Sequence, residues 1–167
     1  YRPEYGLLNY ILNKLFGITG PRWLENQSWA MPAIVLMSAW KNIGYNMVIF
    51  LAGLQNIPQA LYEVSDIEGA KPWQKFFRIT VPLLSPTIFF VTIITLISSF
   101  QVFEQTYILT KGGPANSTLT LSYYIFQNAF MYFRMGSAAA LSYVLFAIIF
   151  IITMIQFKLQ KKWVHYN

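Results

Sequence analysis

Ser38, Lys41, Asn42 and Tyr45 stand at i, i+3, i+4 and i+7, so on a helix they form one polar stripe in an otherwise apolar stretch. Thr95, Ser98 and Ser99 make a similar stripe further on. Hydroxyls, an amide and a phenol so spaced do the chemistry of non-covalent recognition: they donate and accept hydrogen bonds, and the tyrosine ring adds a face for stacking. Two roles are open to each, bonding between neighbouring helices or lining a water-filled cavity, because a polar group set against hydrocarbon costs free energy. Three are open to Lys41: snorkelling to the interface, pairing with an acid on a helix outside this chain, or facing the cavity. A second constellation is EVSDIEGAKPWQKFFRITVP, Glu63 to Pro82, in which Glu63, Asp66 and Glu68 precede Lys71, Lys75 and Arg78, with Gly69 between. Covalent chemistry has no comparable signature. The chain has no cysteine and no glycine-rich nucleotide loop of the Walker type, and its lone His165 stands in a basic tail without a carboxylate or thiol constellation. An enzymatic role, a bound metal and a cofactor held by this chain are therefore not expected.

The elements that must carry these residues are long and greasy. Hydrophobic residues make up 56% of the 167, aromatics 18% and charged residues 11%, far from a soluble average. A helix crossing hydrocarbon needs about 20 mostly apolar residues. Ile79 to Phe103 and Met135 to Phe157 carry no charge, and Lys41 alone interrupts the run from Glu25 to Glu63. These runs predict an all-α, polytopic transmembrane helix bundle with three spans. The net charge of +6 does not signal nucleic acid, since the basic residues are scattered and form no face along which a phosphate backbone could run. They read instead as topology signals: Lys158, Lys161 and Lys162 follow the last run, and short cytoplasmic segments favour Lys and Arg. Arg2, Lys14, Arg22, Lys111 and Arg134 fall on the outer side in this assignment, so it rests on the dense lysines at the C-terminal end. The chain starts at Tyr1 with neither Met nor a signal peptide, and the expectation is a longer protein whose front precedes it.

The expected order is an extracytoplasmic loop with an interfacial helix over 1–29, a span over 30–54, a cytoplasmic loop over 55–81, and a span over 82–103. An extracytoplasmic loop with a short amphipathic helix over 104–136, a span over 137–157 and a cytoplasmic tail over 158–167 complete it. Leu7, Leu8, Ile11, Leu12 and Leu15 give the interfacial helix, and Trp23 and Trp29 mark a water–lipid boundary. In the inner loop Ile57, Ala60, Leu61, Val64 and Ile67 recur at helical spacing, with Gln59, Glu63 and Asp66 on another side. Gly69 ends that helix in left-handed geometry, Pro72 starts a second short one, and Pro82 opens the next span. In the outer loop Lys111-Gly112-Gly113-Pro114 predicts a turn, Asn116 and Ser117 are candidate N-caps, and Leu119, Tyr123, Phe126 and Phe130 form an apolar stripe. Small residues from Gly136 to Ala140 begin the third span, where they let helices approach closely.

The inner loop resembles that of ABC importer permeases, whose pattern is Glu-Ala-Ala, three residues, Gly, nine residues, Ile, one residue, Leu-Pro. Glu63-Val64-Ser65, Gly69, Ile79 and Val81-Pro82 stand at those spacings, with Val64, Ser65 and Val81 as conservative departures. "LAGLQNIPQALYE", "FEQTYILTKGGPANST" and "YYIFQNAF" are similar to the carbohydrate-importing branch, and Glu104 stands where many of that branch carry Asp. The resemblance covers nearly the whole chain and corresponds to the C-terminal half of a permease of about six spans. It implies that the loop forms coupling helices fitting a cleft on a cytoplasmic ATPase subunit, through Glu63, Ser65, Asp66, Gly69, Ala70 and Lys75. A rigid short helix with an apolar side for the cleft, and Glu63 and Asp66 for basic partners, suits such a push. The two polar stripes, Ser38, Lys41, Asn42, Tyr45 and Thr95, Ser98, Ser99, are the expected substrate path where they line a cavity rather than bond between helices.

The resemblance thus implies the transmembrane permease subunit of a binding-protein-dependent ABC importer, taking a sugar or related polyol inward by alternating access. Its expected partners are two ATPase subunits that hold the ATP, a second permease subunit, an extracytoplasmic solute-binding protein, membrane lipid and the sugar-type substrate. The place is a bacterial or archaeal cytoplasmic membrane. A secondary transporter or channel without ATPase partners, and a soluble helical interaction protein, are the rival classes. Copurification of an ATPase separates the first from the second, and dependence on detergent sets aside the third.

Overall fold

The computed structural model describes residues 6–161, so Arg2, Pro3, Lys162 and His165 lie outside the described residues. Every regular element among these is helical: α1 (Leu7–Phe16), α2 (Gln27–Gln55), α3 (Gln59–Ile67), α4 (Pro72–Lys75), α5 (Val81–Phe100), α6 (Leu121–Phe126) and α7 (Met135–Gln160), with wider π turns over Phe76–Thr80, Thr106–Thr110 and Gln127–Met131. Three helices are long and apolar enough to cross a bilayer: Gln27–Gln55, Pro72–Phe100 and Met135–Gln160. Side chains on them are widely exposed, Trp40 at 79% and Tyr143 at 76% among them. In water such exposure would be costly; in hydrocarbon it is the ordinary surface of a span. The chain falls into two compact units, one holding the residues up to Lys41 with Ser99–Ala147, the other Asn42–Ser98 with the residues from Ile148 onward.

In the first unit α1 is tied back by polar contacts rather than by a core. The Trp23 indole N–H donates to Asn9 Oδ1 at 2.6 Å, and the Trp23 and Trp29 rings meet edge to face at 5.4 Å. Asn26 Oδ1 accepts the Ser28 N–H at 2.9 Å, which caps the start of α2. After α5 the chain closes on an aromatic cluster in which Phe103, Tyr107, Tyr123 and Phe126 pack with centroids 5.0 to 6.3 Å apart. The Lys-Gly-Gly-Pro turn folds against it. Lys111, Gly112, Ala115 and Asn116 all take positive φ, and the buried Thr118 hydroxyl donates to the Gly113 carbonyl at 2.8 Å. The expected caps are corrected here. Asn116 and Ser117 belong to the turn, and α6 is capped by Thr120, whose hydroxyl accepts from the Tyr123 N–H at 3.3 Å.

In the second unit the spans meet at specific points. A Cβ on Gly53 would lie 2.5 Å from Thr87 Oγ1 and 2.9 Å from Leu84 Cδ1, so only a glycine lets α2 lie this close to α5. Phe89 on α5 and Phe157 on α7 pack edge to face at 5.5 Å. The expected break before Pro82 is also corrected. One helical rod runs from Pro72 to Phe100, and Pro82 sits inside it, directly after the π turn. A proline lacks the N–H for the carbonyl four residues back and its ring crowds that carbonyl. The preceding turn widens, so that the Val81 N–H bonds Phe76 O, and the helix continues. Pro86 leaves the Pro82 carbonyl without its usual donor, and the Ser85 hydroxyl supplies one at 2.6 Å. The rod ends at Phe100 rather than near Phe103.

Candidate functional site

The helical hairpin of α3, Gly69 and α4 is built from local rules. At the end of α3 the Gly69 N–H bonds Asp66 O at 3.0 Å and the Ala70 N–H bonds Ser65 O at 2.9 Å, with Gly69 at φ +72°. These are the two bonds of the Schellman ending, and the left-handed residue in it favours glycine. Pro72 begins α4, and the Gln74 side chain accepts the Lys71 N–H at 2.8 Å. The turn places Lys75 against Asp66 as an ion pair. The Asp66 carboxylate is therefore engaged within the hairpin, and Glu63 is left exposed without an ion pair among the described residues.

The hairpin is clamped onto the rod by hydroxyls. Tyr62 Oη lies 2.8 Å from Thr80 Oγ1, and Thr80 Oγ1 donates to Lys75 O at 3.5 Å, a carbonyl of the widened helical stretch. Each hydroxyl both donates and accepts, so either can be the donor in the first bond. Ser65, itself buried, donates to Tyr62 O at 2.7 Å. Tyr62 and Thr80 were not among the residues singled out from the sequence; the signal available was their position within the patterned stretch and at its edge. Tyr62→Phe removes one hydrogen bond, a loss of about 1 kcal/mol. Amide hydrogen exchange over α3 is expected to speed up about fivefold; unchanged exchange would show that the clamp does not hold the hairpin.

With Tyr62 and Ser65 turned inward, the apolar side of α3 faces out. Ile57, just before α3, is buried, whereas Leu61, Val64 and Ile67 are exposed, Ile67 to 88%. Trp73, Phe76 and Phe77 add exposed aromatic surface from α4 and the π turn, the two phenylalanine rings meeting at 5.1 Å. An exposed apolar ridge beside an unpaired carboxylate is a surface shaped to be covered.

The polar stripes lie on α2 and α5 as their spacing predicts. Lys41, Asn42, Tyr45, Thr95, Ser98 and Ser99 are exposed, and Ser38 is half-buried with its hydroxyl unpartnered. The acid that pairs with Lys41 is in this chain: Lys41 Nζ donates to Glu104 Oε2 at 2.7 Å, across 63 positions. That hydrogen bond, and then the lysine's charge, hold the Glu104 carboxyl below its ordinary value of 4.5. Among the described residues no cluster of His, Asp, Glu or Cys offers a metal site.

Residues 7–165 match the family described as binding-protein-dependent transport system inner membrane component. The chain is 45% identical over 147 residues to the probable ABC transporter permease protein YesP of Bacillus subtilis, covering 87% of this chain and 47% of that protein. It is 40% identical over 156 residues to the sulfoquinovosyl glycerol transport system permease protein SmoG of Agrobacterium fabrum, covering 93% of this chain and 50% of that protein. Among solved structures it resembles a chain in the crystal structure of a bacterial ABC transporter involved in the import of the acidic polysaccharide alginate. The TM-score is 0.82 at 27% identity, over 96% of this chain and 56% of that one. The chain spans about half the length of the curated relatives it matches.

Proposed function

Given that the chain belongs to the binding-protein-dependent transport system inner membrane component family, we propose that it is the coupling half of a sugar-importing ABC permease in a bacterial inner membrane. Membership makes it a membrane component of a transport system rather than an enzyme. The exposed ridge of Leu61, Val64 and Ile67 beside Glu63 carries the rest of the proposal, because such a surface on a rigid hairpin suits a protein cleft. The hairpin docks on a cytoplasmic ATPase subunit that binds the ATP. Closure of the ATPase pair pushes it, the Tyr62–Thr80 clamp passes the displacement to the π turn, and the single rod from Pro72 to Phe100 carries it into a span. Rigid elements with two discrete positions are what transmit such a change. Alternating access follows when a second permease subunit moves in concert, with substrate delivered by an extracytoplasmic binding protein.

The cargo class is carbohydrate, supported by the names of the relatives and by side chains that match it. Tyr45 offers a ring face, and Asn42, Thr95, Ser98 and Ser99 offer donors and acceptors at membrane depth. The test is purification of the full-length protein from its own membranes with an affinity tag, followed by assay for an ATPase subunit and for sugar-dependent ATP hydrolysis. Copurification of an ATPase whose amount falls with Leu61→Asp and Val64→Asp supports the proposal. A tagged protein that transports sugar without an ATPase subunit overturns it in favour of a secondary transporter. Cysteines at Ala115 and Lys161 test the orientation in intact cells: an impermeant thiol reagent is expected to label residue 115 and to spare residue 161, and the reverse pattern inverts the topology.

A further inference from the structure

We propose that the C-terminal part of α7 binds an anionic phospholipid, its acyl chain along the helix and its phosphate between Lys158 and Lys161. A groove of about 550 Å³ runs along this part of the helix, lined by Phe150, Ile151, Met154 and Ile155 and closed at one end by the two lysines. Phe157 also lines it, its ring edge to face with Phe89 of α5, and the other four apolar side chains are 52 to 57% exposed.

Two features decide between occupants. Contacts between spans are enriched in small side chains that let backbones approach, as at Gly53, and the groove offers phenylalanine, isoleucine and methionine instead. Bulky, irregular apolar walls suit a flexible hydrocarbon chain. The end of the groove then supplies charge complementarity. Lys158 and Lys161, three positions apart and so on one face of the helix end, make no ion pair among the described residues. Two neighbouring cations without an acid repel each other, and an anion between them relieves the repulsion. The lysine stems extend the apolar wall while their heads reach the interface. An apolar channel ending in two cations at the depth of a headgroup matches a diacyl phosphate with a negative headgroup, and a zwitterionic lipid answers only half of it.

The test uses the full-length protein, extracted with its associated subunits into nanodiscs holding equal amounts of phosphatidylglycerol and phosphatidylcholine of the same acyl chains. Retained lipid is counted by native mass spectrometry. Preferential retention of phosphatidylglycerol is expected, and Lys158→Gln with Lys161→Gln lowers it about thirtyfold, from about fivefold for each lysine near the surface. Phosphatidylcholine retention stays unchanged and reports that the variant is intact, while the double arginine variant keeps the preference. Added inorganic phosphate leaves the bound lipid in place. Equal retention of the two lipids, a glutamine variant that keeps the preference, or displacement by inorganic phosphate each overturns the proposal; the last marks a free-anion site.

Discussion

Gly69→Val is expected to leave the protein in the membrane and its recognition of substrate intact, while cutting sugar-stimulated ATP hydrolysis and uptake about tenfold. The cause lies in one backbone angle. Gly69 holds φ at +72°, and a left-handed residue with a Cβ costs about 1–2 kcal/mol, with a β-branched side chain at the upper end. A difference of that size is about tenfold in the population of the correctly ended hairpin. The valine either bears the strain or releases the two Schellman bonds from Gly69 and Ala70, and in both cases α3 loses its fixed angle to α4. Apart from Gly69 itself and its two chain neighbours, no atom of the described residues lies within 4 Å of where the added Cβ would stand, so crowding inside the hairpin is not the mechanism. Gly69→Asn separates strain from obstruction, because asparagine tolerates left-handed geometry. Near-normal coupling is expected for asparagine and poor coupling for valine. If both fail alike, the space outside the hairpin matters more than its backbone; if both retain full stimulation and full ATPase binding, the hairpin is not the coupling element.

The elements that can be read from local sequence are those whose causes are local. Charge-free runs mark the long helices because crossing hydrocarbon excludes charge, and Gly69 marks the end of α3 because its backbone angle excludes most other residues. Helical spacing likewise finds the stripe of Leu61, Val64 and Ile67, but spacing does not say which way a stripe points. In a soluble helix it would turn inward. Here Tyr62 turns inward instead, since Thr80 waits there for its hydroxyl; Ser65, bonded to the Tyr62 carbonyl of its own helix, is buried with it, and the stripe is left outside. Pro82 misleads for a related reason. Local rules place proline at a helix start, whereas the widened turn over Phe76–Thr80 lets the rod pass through it. Pairings far apart in sequence leave no local trace at all. Lys41 offers three roles when seen alone, and only the folded chain brings Glu104 to it.

That pair carries the second large effect. Glu104→Lys sets a second ammonium group against Lys41 in place of a carboxylate 2.7 Å away, and uptake is expected to fall about tenfold or more, since reversing a contact charge costs more than deleting it. Glu104→Gln keeps a hydrogen-bond acceptor and should lose less. The swap, Lys41→Glu with Glu104→Lys, restores the attraction in reverse and is expected to recover most of the transport. This double variant decides whether the residues act on each other or separately with substrate: in a direct substrate contact the swapped charges would fail together, and no recovery would be seen. Acid gives an independent check with a defined sign. Because the folded protein holds the Glu104 carboxyl below its ordinary 4.5, the pair's contribution is fully present above that value and is lost as pH falls through the lowered one. Thermal unfolding of the wild type and of Glu104→Gln should therefore differ at pH 7 and converge as the carboxyl protonates. A difference that persists in strong acid would mean that glutamine disturbs the site by its shape, and that the ion pair is not what holds Lys41 in place.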